Sequence, residues 1–249
     1  MSRRTLHAAA ALLLGVLALA RPLVAQSPEV PNMQPPNRTF LFFEVLEFAP
    51  AGVESPVRYD FSGWHGGDVN RVWFKADGEQ GTTAEGGGEA ELQLAYGRLI
   101  HPFWDAQLGV RVDAHYGEGE TNTRVALAVG LQGLAPYWFE LEPTLYLDQG
   151  GIVSAGLTAA YELLLTQRLV VEPRLESFAS LKAVPEFGIG RGLNDVELGL
   201  RARYEFRREF APYVGVVWAR RVGGTADLAH AAGEPVRELS FVAGVRLWR

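Results

Sequence analysis

The sequence predicts an all-β protein, an antiparallel transmembrane β-barrel of about twelve strands of the outer-membrane type. Three observations carry that prediction. Apolar and polar residues alternate in segment after segment, short and long connections alternate along the chain, and aromatic residues gather beside the short ones. The clearest unit runs from Arg124 to Leu147. In its first half Val125, Leu127, Val129 and Leu131 share one face, with Ala126, Ala128, Gly130 and Gln132 on the other. After a tight turn at Ala135-Pro136, Phe139, Leu141, Leu145 and Leu147 alternate with Glu140, Glu142, Thr144 and Tyr146. One face is wholly apolar, and the other carries small residues and carboxylates.

Taken in order, residues 1–25 read as a secretory signal peptide. Arg3 and Arg4 form a positive start, Ala8 to Ala20 an apolar run, and Leu23-Val24-Ala25 a cleavage site before Gln26, with Ala18-Leu19-Ala20 as a second candidate. Export without any cysteine leaves sheet hydrogen bonding and burial to stabilise the fold. Residues 26–37 are Pro-rich and have little to bury, so they read as a short periplasmic segment. The barrel is expected over 38–249, its strands near 38–48, 57–64, 70–79, 90–100, 104–115, 124–134, 138–147, 152–164, 169–179, 194–205, 210–221 and 237–248. Most are about ten residues, the length a tilted strand needs to cross a bilayer.

Short connections fall at His65–Val69, His101–Phe103, Ala135–Tyr137, Leu165–Arg168 and Phe206–Glu209. Longer ones fall at Ala49–Pro56, Gln80–Glu89, Tyr116–Thr123, Ser180–Leu193 and Val222–Val236, and only Asp148–Gly151 breaks the pattern. Short turns at one end and long loops at the other are the arrangement of a barrel with periplasmic termini. Trp64, Trp104, Tyr137, Trp138, Tyr161, Tyr204, Phe206, Phe210 and Trp248 flank the short turns or the C-terminus and are expected to form a periplasmic girdle.

With the apolar face toward lipid, the charged residues point inward. The expected interior network includes Glu91, Arg111, Asp113, Glu140, Glu142, Glu172, Arg174, Glu176, Arg201 and Arg203. Arg111 and Asp113 are expected to meet the Glu91 region, and Arg201 and Arg203 to lie near Glu172 and Glu176. Such a network either fills a narrow barrel and fixes its register or lines a polar path. A net charge of −6 argues against nucleic acid as a partner. No enzyme is expected. Of the five histidines, His7 lies in the signal peptide, His65 and His101 in short turns, His115 at a strand end and His230 in a long loop. Ser154 and Ser240 have no histidine at matching height to act as a base. GIGRG at 188–192 is followed by no helix that would make it a phosphate loop.

Several words of the sequence, in order, resemble the copper resistance protein B family: GWHGGDVNRVWFKADGE (63–79), ELQLAYGRLIHPFWDAQLGVRVD (91–113), VGLQGLAPYWFELE (129–142), YELLLTQRLVVEPRLE (161–176), GIGRGLNDVELGLRARYEFRREFAPYVGV (188–216) and FVAGVRLW (241–248). The resemblance spans nearly all of the chain beyond residue 38. It implies an outer-membrane barrel of Gram-negative bacteria associated with copper homeostasis, with outer-membrane lipid and copper ions as partners and a periplasmic copper oxidase as a candidate partner. A general small-solute porin without direct copper binding is the alternative. Family members carry a long Met- and His-rich segment before the barrel, suited to Cu(I) through soft thioether sulfur. Here residues 26–37 hold one methionine, Met33, and no histidine. Candidate copper ligands are therefore Met33, His65 with Asp68 in one short turn, and His101 in the next. Arg249 stands where such barrels commonly end in an aromatic residue, with Trp248 beside it.

Overall fold

The computed structural model describes residues 36–50, 56–82, 87–117 and 120–249, of which Asn37–Arg249 form one compact unit. The expected signal peptide and all of the Pro-rich segment before residue 36, Met33 included, lie outside the described residues.

The strands are β1 Arg38–Phe48, β2 Val57–Gly66, β3 Asn70–Gln80, β4 Gly88–His101, β5 Trp104–Gly117, β6 Glu120–Ala135 and β7 Phe139–Asp148. They continue as β8 Val153–Ala160, β9 Leu163–Leu164, β10 Leu169–Ser180, β11 Gly192–Tyr204, β12 Phe210–Arg221 and β13 Arg237–Trp248. Consecutive strands pair antiparallel, except that β8 pairs with β10 and β9 continues β8 as a two-residue segment against β10. The first and last strands pair through Phe42 opposite Trp248, which closes the sheet into a twelve-strand barrel. Closure leaves no unpaired edge for lipid to meet.

Burial runs opposite to that of a water-soluble domain. Leu94 is 58% exposed, Val214 63% and Phe241 63%, whereas Glu47 is 2% exposed, Asp113 3% and Arg203 5%. Apolar side chains face out from every side, and the enclosed space holds charge. A sheet so patterned has its low-energy surroundings in hydrocarbon.

Several expectations change in detail. The loop expected at 116–123 shrinks, because β5 and β6 run on to Gly117 and from Glu120 as a long hairpin. The loop expected at 222–236 contains a helix, α1 (Gly223–Ala232), ended by Gly233 in the left-handed conformation with φ 76°. Thr225 of α1 and Asn194 near the start of β11 fasten this helix to Gly190 in the preceding outer loop. Asn194 Nδ2 donates to the Gly190 carbonyl at 2.7 Å and to Thr225 Oγ1 at 2.6 Å, and Gly190 N–H donates to Thr225 Oγ1 at 2.8 Å. Gly190 allows that approach, since a Cβ there would stand 2.2 Å from the Gly224 carbonyl carbon.

The girdle divides. Trp104, Tyr161, Tyr204 and Phe210 lie on the outward face, and Tyr137 and Trp138, 83% and 70% exposed, stand on the β6–β7 turn. Trp64 and Trp248 instead turn inward. Trp64 pairs with the buried Trp73, and Trp248 shares the face of Phe42, over which the inward Arg246 guanidinium sits at 4.6 Å. Sequence position beside a turn sets a residue's height, but the parity of its strand sets the face.

Candidate functional site: the barrel lumen

From the periplasmic end upward, the lumen is built in three layers. The lowest is aromatic: Phe40, Phe42, Trp64, Trp73 and Trp248 lie against one another, with the Arg71 guanidinium 4.8 Å above the Trp64 ring. Arg71 also donates to Asp105 at 2.7 Å. Just above, Arg203 donates to Glu172 at 2.5 Å and Glu162 at 2.6 Å, and Arg246 reaches the same two carboxylates at 3.2 and 2.8 Å.

The middle layer spans the interior. Arg174 on β10 meets Glu44 on β1 at 3.0 Å and Asp60 on β2 at 2.8 Å, and also bonds Glu176 on its own strand. Arg58 on β2 donates to Glu197 on β11 at 2.8 Å, and Lys75 on β3 pairs with Glu142 on β7. Partners four strands apart are separated by about 19 Å along the wall at roughly 4.8 Å per strand. They can touch only by reaching across the lumen. Arg201 holds Glu47 through two bonds of 3.0 and 2.9 Å, with the Tyr213 hydroxyl donating to the same carboxylate at 3.1 Å.

The third set of contacts shares Asp60 with the middle layer and follows the strand register. Asp60, Asp77, Glu91 and Asp113 are successive cross-strand partners on β2, β3, β4 and β5, so four carboxylates form one rung facing the lumen. Arg124 ends the rung, donating to Asp113 at 3.0 and 2.8 Å, and Arg111 bonds both Asp113 and Glu91 while stacking 4.5 Å over the Tyr146 ring. Asp77 makes no ion pair among the described residues, and neither do Glu140 and Asp195. The outer mouth is narrowed by Phe187, whose ring lies 5.2 Å from His115 and under the Arg124 guanidinium at 5.3 Å.

The Arg111–Glu91–Asp113 and Arg203–Glu172 contacts match the sequence expectation. Arg201 stands opposite Glu172 in the β10–β11 register, as expected, but its guanidinium takes Glu47, and Glu176 takes Arg174. Glu47 was not expected inside. A bulge in β1 sets Phe43 opposite Phe61 but Val45 opposite Asp60, so that Glu44 and Glu47, three residues apart, both face the lumen. The outer partner of Glu89, His115 at 3.4 Å, is likewise visible only once the β4–β5 register is known.

The candidate copper ligands sit elsewhere. His65, at the end of β2, is exposed and shares a 2.9 Å hydrogen bond with Thr39 Oγ1. Asp68 is exposed in the next turn, its backbone carbonyl accepting from Arg71 at 3.2 Å. His101 is exposed beside Phe103 in the β4–β5 turn. Among the described residues, no three His, Asp or Glu side chains converge as a preformed metal cage.

The family model described as copper resistance protein B precursor matches residues 37–249, the whole of the barrel. The chain belongs to the copper resistance protein B family. Copper resistance protein B of Escherichia coli is 40% identical over 209 residues, covering 84% of this chain and 68% of the relative. The copper resistance protein B homolog of Pseudomonas syringae pv. tomato is 39% identical over 212 residues, covering 84% and 69%. Among solved structures, the iron transporter FrpB of Neisseria meningitidis is similar at 10% identity and a TM-score of 0.35, covering 85% of this chain and 43% of that one.

Proposed function

We propose that this chain serves copper resistance at the outer membrane, and that its acidic lumen takes up divalent copper weakly and exchangeably. The observation that carries this reading is the rung Asp60–Asp77–Glu91–Asp113, in which carboxylates exceed the cations beside them. Carboxylate oxygens offer a divalent ion charge compensation without the tight geometry of a closed cage, and the barrel has no cysteine to favour Cu(I). His65, Asp68 and His101 supply imidazole and carboxylate donors at the periplasmic rim, where an ion leaving the lumen would meet them, and Met33 adds a soft donor ahead of the barrel. Family membership supports the copper role, and the inside-out burial supports the location.

A small-solute porin is the second reading. The cross-lumen pairs of Arg174, Arg58 and Lys75 favour a filled interior over an open aqueous pore. Equilibrium dialysis of the refolded full chain against cupric ion tests the proposal, read alongside copper tolerance of a deletion strain carrying each variant. The combined change Asp60→Asn, Asp77→Asn and Glu91→Gln is expected to release most of the bound copper and to lower tolerance. Replacing His65 and His101 is expected to remove a smaller share. Unchanged binding in both variants, with wild-type tolerance, would dismiss the lumen as the copper site.

A further inference from the structure

Among the described residues the outer wall carries few charges: Arg98 near the periplasmic end of β4, and a pair of arginines near the extracellular end. Arg220 on β12 and Arg237 on β13 are direct cross-strand partners, and both side chains are exposed. They share the outward face with the next pair on that face, Trp218 and Leu239, and then with Val216 and Phe241. Successive pairs on one face are about 6.7 Å apart, so the wall passes from guanidinium to indole to hydrocarbon within about three rungs. That sequence matches the passage from headgroup to interface to acyl chain.

Like charges directly opposite one another destabilise a sheet. Among the described residues no carboxylate offsets them. Glu234, in the same connection, pairs with the inward Arg221, and Glu238 accepts from Ser240 on the lumen side. On β11 the residue opposite Arg220 is Val196. Neither arginine makes an ion pair among the described residues. A group from outside the barrel can neutralise them, and two adjacent guanidinium forks are suited to phosphate oxygens.

We propose that Arg220 and Arg237 form a binding site for the phosphate of a membrane lipid headgroup in the outer leaflet, with Trp218 and Leu239 against the lipid's first methylenes. The site is independent of the lumen and of copper. It is tested on the full refolded chain in neutral detergent micelles, by native mass spectrometry and by the unfolding midpoint. The additives are an acylated disaccharide bearing two phosphates, the same glycolipid without phosphates, and inorganic phosphate. The phosphorylated lipid is expected to stay bound and raise the midpoint, and the dephosphorylated lipid to do neither. Arg220→Gln with Arg237→Gln is expected to weaken lipid retention by roughly tenfold for each arginine removed. Arg220→Glu creates an opposite-charge pair with Arg237, so it is expected to fold at least as well in plain detergent while losing the preference for phosphorylated lipid. Equal retention of both glycolipids by the native chain, or an equal effect of inorganic phosphate, would overturn the proposal. So would a phosphate preference surviving in the Arg220→Glu protein.

Discussion

Glu47 shows how much one residue's setting depends on its strand. It is buried, accepts two bonds from Arg201 and one from Tyr213, and faces the lumen only because β1 bulges at Glu44 and Val45. Removing one partner of a buried pair leaves an uncompensated charge, a cost of roughly 3–5 kcal/mol, whereas replacing both with apolar groups is often nearly neutral. Arg201→Met is therefore expected to lower stability by about that amount in urea unfolding from lipid vesicles, and the double change Arg201→Met with Glu47→Leu to recover most of it. A cost below about 1 kcal/mol for the single change would show that water reaches this carboxylate freely. Pairs between neighbouring strands, such as Arg111 with Glu91 and Arg203 with Glu172, were legible from alternation alone. The partners of Arg174 and Lys75 were not, because one-dimensional order carries no information about which strands face each other across a closed barrel.

At the scale of elements, period-two alternation located all twelve staves of the wall, since a strand with lipid on one side and charge on the other announces its length. It was blind to α1. The run Gly223 to Ala232 is rich in alanine and ends at Gly233, a helix signal that a search for alternation passes over. Alternation also explains the divided girdle: Trp64 and Trp73 are partners on the inward parity, which position beside a turn does not reveal. The α1 lock turns on small groups at close range. Gly190→Ala is expected to displace Thr225 from the Gly190 and Asn194 contacts and expose the outer loop. Limited proteolysis from the outer side should then cut within 181–191 while β10 and β11 remain intact. Resistance equal to the native chain would show that the loop is held by other contacts.

For the whole molecule, the lumen is both filled and acidic, and these properties make separate predictions. The braces that run between strands four apart should keep ion current small in planar bilayers. Removing two of them, Arg174→Ala with Lys75→Ala, is expected to raise single-channel conductance several-fold and to favour cations over anions. High conductance in the native barrel would mean the braces do not span the interior in a membrane. Everything at this scale depends on which face of the sheet meets lipid, and the absence of cysteine makes that face directly readable. Single cysteines at Leu94, Leu145 and Phe241, and separately at Gln93 and Ser240, can each be tagged with an environment-sensitive fluorophore in vesicles containing brominated lipid. Quenching at Leu94, Leu145 and Phe241, with none at Gln93 and Ser240, is the predicted outcome. Quenching at the second set and not the first would contradict the barrel's inside-out arrangement.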